Sequence, residues 1–213
     1  MSVRRLPVYI LADCSGSMSG DPIEQVKQGI RTLHDNLMGD PSALETTYLS
    51  VITFDSSARQ LMPLTELNLF TPPDLQAGGT TAYGAALKTL LDCVSKEVRK
   101  SAPGSEVKGD WKPLIFIFTD GSPTDSWESY ADEVKQKKLG NVIAIGCGGA
   151  NPDVLKRTTE TVLMMTDMSA EGFKAFFAWV SSSISQTSAK VGTAAAGAPV
   201  ALPPPPPTIT IVP

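Results

Sequence analysis

Three oxygen-bearing side chains, Asp13, Ser15 and Ser17, alternate along a short stretch that follows an apolar run. The run at residues 8–12 reads VYILA, and such a run, rich in β-branched and aromatic residues, is typical of a buried parallel strand. In an open α/β sheet, ligands bind just beyond the carboxyl ends of the strands. Because hard cations such as Mg²⁺ prefer carboxylate and hydroxyl oxygens, this stretch is a candidate metal site.

Two later stretches strengthen that interpretation, since a D-x-S-x-S pattern alone could equally be a turn held by its own side chains. Residues 78–81, GGTT, open a predicted helix, and residues 114–118, LIFIF, form a second predicted buried strand that leads to Asp120. Strands ending at Asp13 and Asp120 would lie side by side, so that their carboxylates converge at one edge of the sheet. Two close carboxylates repel each other unless a cation lies between them or one is protonated.

These three stretches, in this order, resemble the metal-ion-dependent adhesion site of von Willebrand factor A (vWA) domains, and the resemblance covers roughly residues 5 to 187. It implies a divalent cation, Mg²⁺ first and Mn²⁺ or Ca²⁺ as alternatives. One coordination position would accept an acidic side chain from a partner protein. The ligands that the resemblance implies are Asp13, Ser15, Ser17, Thr81 and Asp120.

The choice between Thr80 and Thr81 rests on the family's spacing, in which a small and then an apolar residue follow the threonine five and six positions later. From Thr81 these positions are Ala86 and Leu87, which fit better than the two alanines counted from Thr80. Thr80 stays open as the alternative ligand.

Strand-like and helix-like patterns alternate along the chain, which predicts an α/β fold with a doubly wound, mostly parallel central sheet and helices on both faces. One antiparallel edge strand is expected at residues 59–64, because it follows the predicted strand at residues 48–54 after a short turn and contains Pro63. We assign Asp21 and Asp125 to helix capping and Asp55 to that hairpin turn.

The composition changes near residue 188, so we predict a vWA domain at residues 1–187 and an Ala/Pro-rich disordered tail at residues 188–213. Lys190 is the only charged residue of the tail, and residues 203–207 are an unbroken proline run. Two alternatives stay open, a ligand for a proline-binding module and a strand added by residues 208–212.

The bulk composition narrows the functional classes. A formal net charge of −4 does not favour a nucleic-acid partner, and the three cysteines show no C-x-x-C spacing. No apolar stretch is long enough to span a membrane, and the start of the chain lacks the features of a signal peptide. We therefore expect a cytoplasmic protein with reduced thiols.

Catalysis is the weaker hypothesis, and we expect a binding module rather than an enzyme. A Mg²⁺-dependent phosphatase or other hydrolase is the alternative, since Asp13 after an apolar strand resembles haloacid-dehalogenase-like phosphatases. Those enzymes need a second acid where this chain has Ser15, and His34, the single histidine, lies far along the first predicted helix.

Within the vWA class, the motifs DCSGSM, ITFDSSA, GGTTAYG and FTDGSPTD and the proline-rich end resemble stand-alone TerY-type proteins of bacterial tellurium-resistance operons. That resemblance implies a scaffold or regulator in a metal-linked stress response. Its partners would include a kinase and a PP2C-like phosphatase of the same operon.

Overall fold

The computed structural model describes residues 4–101, 109–191 and 202–213 of the chain. Within these ranges the strands are β1 (Leu6–Asp13), β2 (Thr47–Phe54), β3 (Ala58–Glu66), β4 (Leu114–Thr119), β5 (Asn141–Gly146), β6 (Thr161–Met165) and β7 (Ile209–Ile211). They form a single sheet of order β3-β2-β1-β4-β5-β6-β7.

Helices cover both faces of the sheet, because alternate residues of each inner strand point to opposite sides. The helices are α1 (Asp21–Met38), α2 (Pro41–Thr46), α3 (Tyr83–Glu97), α4 (Glu128–Lys137), α5 (Pro152–Thr158) and α6 (Ala170–Val191). Val8 and Ile10 of β1 belong to one apolar core with α1 and α6, whereas Tyr9 and Leu11 belong to a second core with α3, α4 and α5. The predicted doubly wound, mostly parallel α/β fold is therefore confirmed.

Strand β1 lies at the centre of the sheet and is buried over its whole length. It pairs in parallel with β2 on one side and with β4 on the other, with Ala12 opposite Phe118. The carboxyl ends of β1 and β4 are therefore neighbours, as the sequence predicted. None of the helices in the described ranges has the length and apolarity needed to cross a lipid bilayer.

The two edges of the sheet are both antiparallel. At one edge β3 pairs with β2 across the turn at Asp55, whose carboxylate accepts a hydrogen bond from the Ser57 N–H, as predicted. At the other edge β7 pairs with β6, which the predicted single antiparallel edge did not include.

The structure thus differs from the predicted disordered tail at both ends of that segment. Helix α6 continues past residue 187 to Val191, and the buried hydroxyl of Ser188 lies 3.1 Å from that of Thr47. Further on, the Trp179 indole N–H donates to the carbonyl of Pro203 at 2.9 Å. Strand β7 covers the open hydrogen-bonding edge of β6, which explains why a short β-branched segment is ordered there. The part of the predicted tail at residues 192–201 lies outside the described residues.

The two isoleucines of β7 offer a test of this edge, because Ile209 is 5% exposed and Ile211 is 59% exposed. We expect Ile209→Ala to lower the free energy of unfolding by about 2 kcal/mol, since it removes buried methyl groups. Ile211→Ala in the same strand should change it by less than about 0.5 kcal/mol. Urea unfolding followed by circular dichroism measures both, and equal small effects would show that β7 does not pack on the sheet in solution.

A candidate metal centre at the carboxyl edge of the sheet

Two carboxylates meet where β1 and β4 end. Asp13 is the last residue of β1 and is fully buried, while Asp120 follows the last residue of β4 and is partly exposed. The parallel pairing of the two strands brings both residues to one edge of the sheet, as the sequence predicted.

Serine hydroxyls connect these two carboxylates. The Ser15 N–H donates to Oδ1 of Asp13 at 2.8 Å, and the hydroxyls of Ser15 and Ser17 lie 3.0 Å apart. The Ser17 hydroxyl in turn donates to Oδ1 of Asp120 at 2.8 Å. A 3-10 turn at Gly16–Met18, anchored by the buried Met18 side chain, holds the two serines in this arrangement. The structure therefore brings together Asp13, Ser15, Ser17 and Asp120.

A second loop packs closely against this turn and carries the threonine pair. The Gly16 N–H donates to the carbonyl of Gly79 at 3.0 Å, and the Gly78 N–H donates to the carbonyl of Cys14 at 2.8 Å. A Cβ on Gly16 would lie 3.1 Å from the Gly79 carbonyl oxygen, and Gly79 has a φ of 73°. Both positions therefore favour glycine, for close approach at one and a left-handed backbone at the other.

The two threonines have different surroundings. Thr81 is 6% exposed, and its hydroxyl borders Gly121, because a Cβ on that glycine would lie 3.0 Å from it. The backbone of Thr81 exchanges two hydrogen bonds with Thr124 of the loop after β4. Thr80 is exposed, and its N–H donates to the Ser56 hydroxyl at 3.1 Å. This placement favours Thr81 over Thr80 as a member of the site.

One residue that was not predicted as part of the site contacts the buried carboxylate directly. The Thr119 hydroxyl donates to Oδ2 of Asp13 at 2.5 Å, while the Ser15 N–H occupies Oδ1. The sequence signal for Thr119 was its position at the end of β4, directly before Asp120. That signal was weak, because threonine is also common in strands for its packing alone.

Asp125 has a different role from the predicted capping of α4, which begins only at Glu128. Its two carboxylate oxygens accept hydrogen bonds from the N–H groups of Gly84 and Ala85, both at 2.9 Å, in the first turn of α3. The N-cap residue of α3 is Ala82, whose methyl side chain cannot accept a hydrogen bond from the helix. That missing cap was the sequence signal that another residue caps α3. Asp21 likewise lies inside α1 rather than at its N-cap, which is Gly20.

The electrostatics of the edge leave negative charge uncompensated. Burial raises the pKa of Asp13, hydrogen bonds from Ser15 and Thr119 partly oppose that rise, and the nearby charge of Asp120 adds to it. Across the described residues, neither Asp13 nor Asp120 forms an ion pair with a lysine, arginine or histidine. A cation at this edge would supply the positive charge that the protein does not.

The donor set suits a hard cation. Two carboxylates and three hydroxyls are all oxygen ligands. The thiols of Cys14 and Cys147 lie nearby, but burial raises the pKa of both, so they stay protonated at neutral pH. In the part of the chain that the structure describes, no group of three or more His, Cys, Asp or Glu side chains is placed to hold a metal. The candidate site therefore relies on hydroxyls as well as carboxylates.

Comparison with known proteins identifies one family. The family model described as the von Willebrand factor type A domain matches residues 8–177. No curated protein has a sequence that matches the chain.

Solved structures of similar fold come from varied organisms. Proximal thread matrix protein 1 from the mussel byssus is 20% identical with a TM-score of 0.60, and the match covers 85% of this chain and 48% of that one. A von Willebrand factor type A protein from Catenulispora acidiphila is 21% identical with a TM-score of 0.60, covering 84% and 43%. The pilus adhesin SpaC from Lactobacillus rhamnosus GG, in an open conformation, is 15% identical with a TM-score of 0.68, covering 88% and 31%. The chain thus spans about half or less of these proteins.

The cap on α3 can be tested independently of any metal. We expect Asp125→Ala to lower the free energy of unfolding by about 1–2 kcal/mol, because two N–H groups of the first helical turn lose their acceptor. Asp92→Ala is the matched control, since Asp92 is exposed in the middle of the same helix. Chemical unfolding of both variants decides the point, and an unchanged Asp125→Ala would mean that the cap does not form in solution.

Proposed function

We propose, from the premise that this chain belongs to the von Willebrand factor type A domain family, that its sheet edge is a metal-ion-dependent adhesion site. Asp13, Ser15, Ser17, Thr81 and Asp120 would hold a divalent cation, directly or through water. The bound cation would then accept an acidic side chain from a partner protein. The chain would act as a metal-dependent protein-binding module.

One observation carries this proposal, namely the chain of hydroxyls that joins the two carboxylates. Ser17 donates to Asp120 and lies within hydrogen-bond distance of Ser15, whose N–H donates to the buried Asp13. Such an arrangement concentrates oxygen lone pairs around two negative charges. A divalent cation would relieve the repulsion and offset the cost of burying the Asp13 carboxylate.

The oxygen ligands favour a hard cation. Mg²⁺ fits best among common cations because it accepts a few protein oxygens and keeps several waters, with Mn²⁺ and Ca²⁺ as alternatives. Zinc belongs in any titration, because one structure of the mussel byssus protein, 20% identical with a TM-score of 0.58, has a zinc-occupied MIDAS motif.

The charge of the ligands favours an acidic partner. Neutral hydroxyl ligands would leave a bound cation electropositive, so an incoming carboxylate would be attracted to the exposed side of the edge, near Ser17. The resemblance to TerY-type proteins supports a cytoplasmic scaffold or regulator in a bacterial tellurium-resistance or stress response. A kinase and a PP2C-like phosphatase are the proposed partners.

A Mg²⁺-dependent phosphatase or other hydrolase is the alternative, and the geometry favours it less. His34 lies with its ring Nε2 3.0 Å from the Leu67 carbonyl and its ring against Phe70, away from Asp13 and Asp120. The residue two positions after Asp13 is Ser15, whose hydroxyl contacts Ser17. Turnover of a phosphate ester with Mg²⁺ would favour the alternative.

Metal binding is the first requirement of the proposal. Millimolar Mg²⁺ should raise the melting temperature of the wild type by a few degrees, because a ligand of the native state stabilises it by mass action. Asp120→Ala should lose that gain yet melt no lower than wild type without metal, since it removes one of two repelling charges. Differential scanning fluorimetry with and without EDTA measures both. A full Mg²⁺ response in Asp120→Ala would place the ion elsewhere.

The threonine pair tests the link from metal to partner. Thr81→Ala should weaken binding of an acidic partner by about 1–3 kcal/mol, the scale of one hydrogen bond to a charged group. Thr80→Ala, one residue away and exposed, should change it by less than about 0.5 kcal/mol. Calorimetry with a candidate kinase or phosphatase gives the values.

EDTA supplies the control for that experiment. Chelation should weaken wild-type binding as much as Thr81→Ala does and should add little in the variant, because both act on one interaction. Partner binding that persists in EDTA would mean that the partner uses another surface of the domain.

A further inference from the structure

Two cavities adjoin at the opposite, amino-terminal edge of the sheet. The larger has a volume of about 580 Å³ and lies between the end of α3, the segment before β4 and the end of α4. The smaller, of about 430 Å³, lies beneath the starts of β5 and β6. Lys112 and Lys138 line both cavities, so the two adjoin at these lysines, and we refer to them together as the groove.

Basic residues surround this groove, although the whole chain has a net charge of −4. The acidic residues that line it are already paired, Asp110 with Arg5 and Glu160 with Lys135. Within the described ranges, three of the lysines form no ion pair or hydrogen bond. The basic residues lining the groove are Arg99, Lys100, Lys112, Lys135, Lys137 and Lys138, and the three unpaired lysines are Lys100, Lys112 and Lys138.

The larger cavity also contains an unpaired donor and an apolar wall. Trp111 lines it and is 4% exposed, and its indole N–H has no hydrogen-bond acceptor among the residues that the structure describes. Buried donors are seldom left unpaired, so an acceptor supplied by a ligand would complete this one. Leu91, Val94 and Leu139 give the same cavity aliphatic surface beside its cations. The groove thus suits a ligand that combines negative charge with apolar side chains.

Lys138 adds a conformational observation. It ends α4 with a φ of 46° and is the one non-glycine residue with positive φ in the described part of the chain. Glycine is the usual residue at such a helix end because it adopts this conformation without strain. A lysine adopts this conformation at a cost in conformational energy, and here it places a cation where the two cavities adjoin. Strained backbone of this kind is common at functional sites.

We propose that this groove binds an acidic segment of a partner protein, in an extended conformation with aliphatic residues among its carboxylates. The length of the groove, which passes the starts of three strands, fits a peptide segment better than a single small anion. A nucleic acid fits less well, since the aromatic ring at the groove, Trp111, is buried rather than exposed for base stacking.

The experiment uses the full chain in EDTA, so that no metal at the opposite edge can capture a carboxylate. The probe is a fluorescein-labelled dodecapeptide of repeated Glu-Glu-Leu, compared with its Gln-Gln-Leu counterpart by fluorescence anisotropy. The acidic peptide should bind, its affinity should fall as NaCl rises, and the neutral peptide should not bind.

A double variant tests the position of the groove without endangering the fold. Lys112→Gln with Lys138→Gly removes two charges, and the glycine also relieves the left-handed residue, so thermal stability should be kept or raised. Affinity for the acidic peptide should fall about tenfold. Arg31→Gln with Lys88→Gln removes the same charge from exposed positions outside the groove and should leave affinity within about twofold.

The NMR signal of the Trp111 indole N–H distinguishes binding in the groove from a nonspecific effect of charge. In ¹H–¹⁵N spectra the acidic peptide should shift the Trp111 indole N–H, assigned with Trp111→Phe, and leave that of Trp127 in place. Equal binding of the neutral peptide, undiminished binding by the groove variant, or preference for an oligothymidylate over the acidic peptide would each overturn the proposal. None of these results depends on the metal site.

Discussion

The burial of the Asp13 carboxylate is the constraint on which the rest of the site depends. Strand β1 is buried throughout, so its terminal carboxylate lies where water cannot solvate it. Its hydrogen-bond partners, the Ser15 N–H and the Thr119 hydroxyl, are neutral, and they reduce the cost of the charge without cancelling it. Asp120 joins the same network through Ser17, so either a bound cation or a proton on one carboxylate would lower the repulsion at this edge.

The surrounding loops are built to keep hydroxyl oxygens around that charge. Close approach of Gly16 and Gly79 brings the turn that carries the serines against the loop that carries the threonines. Asp125 then fixes the start of α3 and Thr124 fixes the backbone of Thr81. These contacts join loops that follow β1, β3 and β4, so the site can form only when the sheet has brought the ends of β1 and β4 together.

The sequence predicted those features that depend on local patterns and on strand order. Apolar runs located β1 and β4, and parallel pairing then placed Asp13 and Asp120 at the same edge. The cap from Asp125 to Gly84 could not be predicted in this way, since it joins residues 41 positions apart through loop geometry. A strand at residues 208–212 was an open alternative for the tail but not the favoured one, because the three residues of β7 show no periodicity and their order depends on the exposed edge of β6. The family threonine spacing favoured Thr81, and the placement of its hydroxyl beside Gly121 is consistent with that choice.

The carboxyl edge of the sheet, where the parallel strands end, and the amino edge, where they begin, have opposite electrostatic characters. The net charge of the whole chain does not reveal this difference. Among the described residues, Asp13 and Asp120 at the carboxyl edge form no ion pair, and neither do Lys100, Lys112 and Lys138 at the amino edge. Strand β4 connects them over six residues, or about 20 Å at the usual rise of a strand. This distance exceeds the Debye length at physiological salt, so a charge bound at one edge has little effect on the other. Under both proposals a single rigid sheet would bind two acidic partners at once, one through a metal ion and one through lysines. Only the first interaction would respond to the supply of metal, so the domain could hold one partner constantly and the other conditionally.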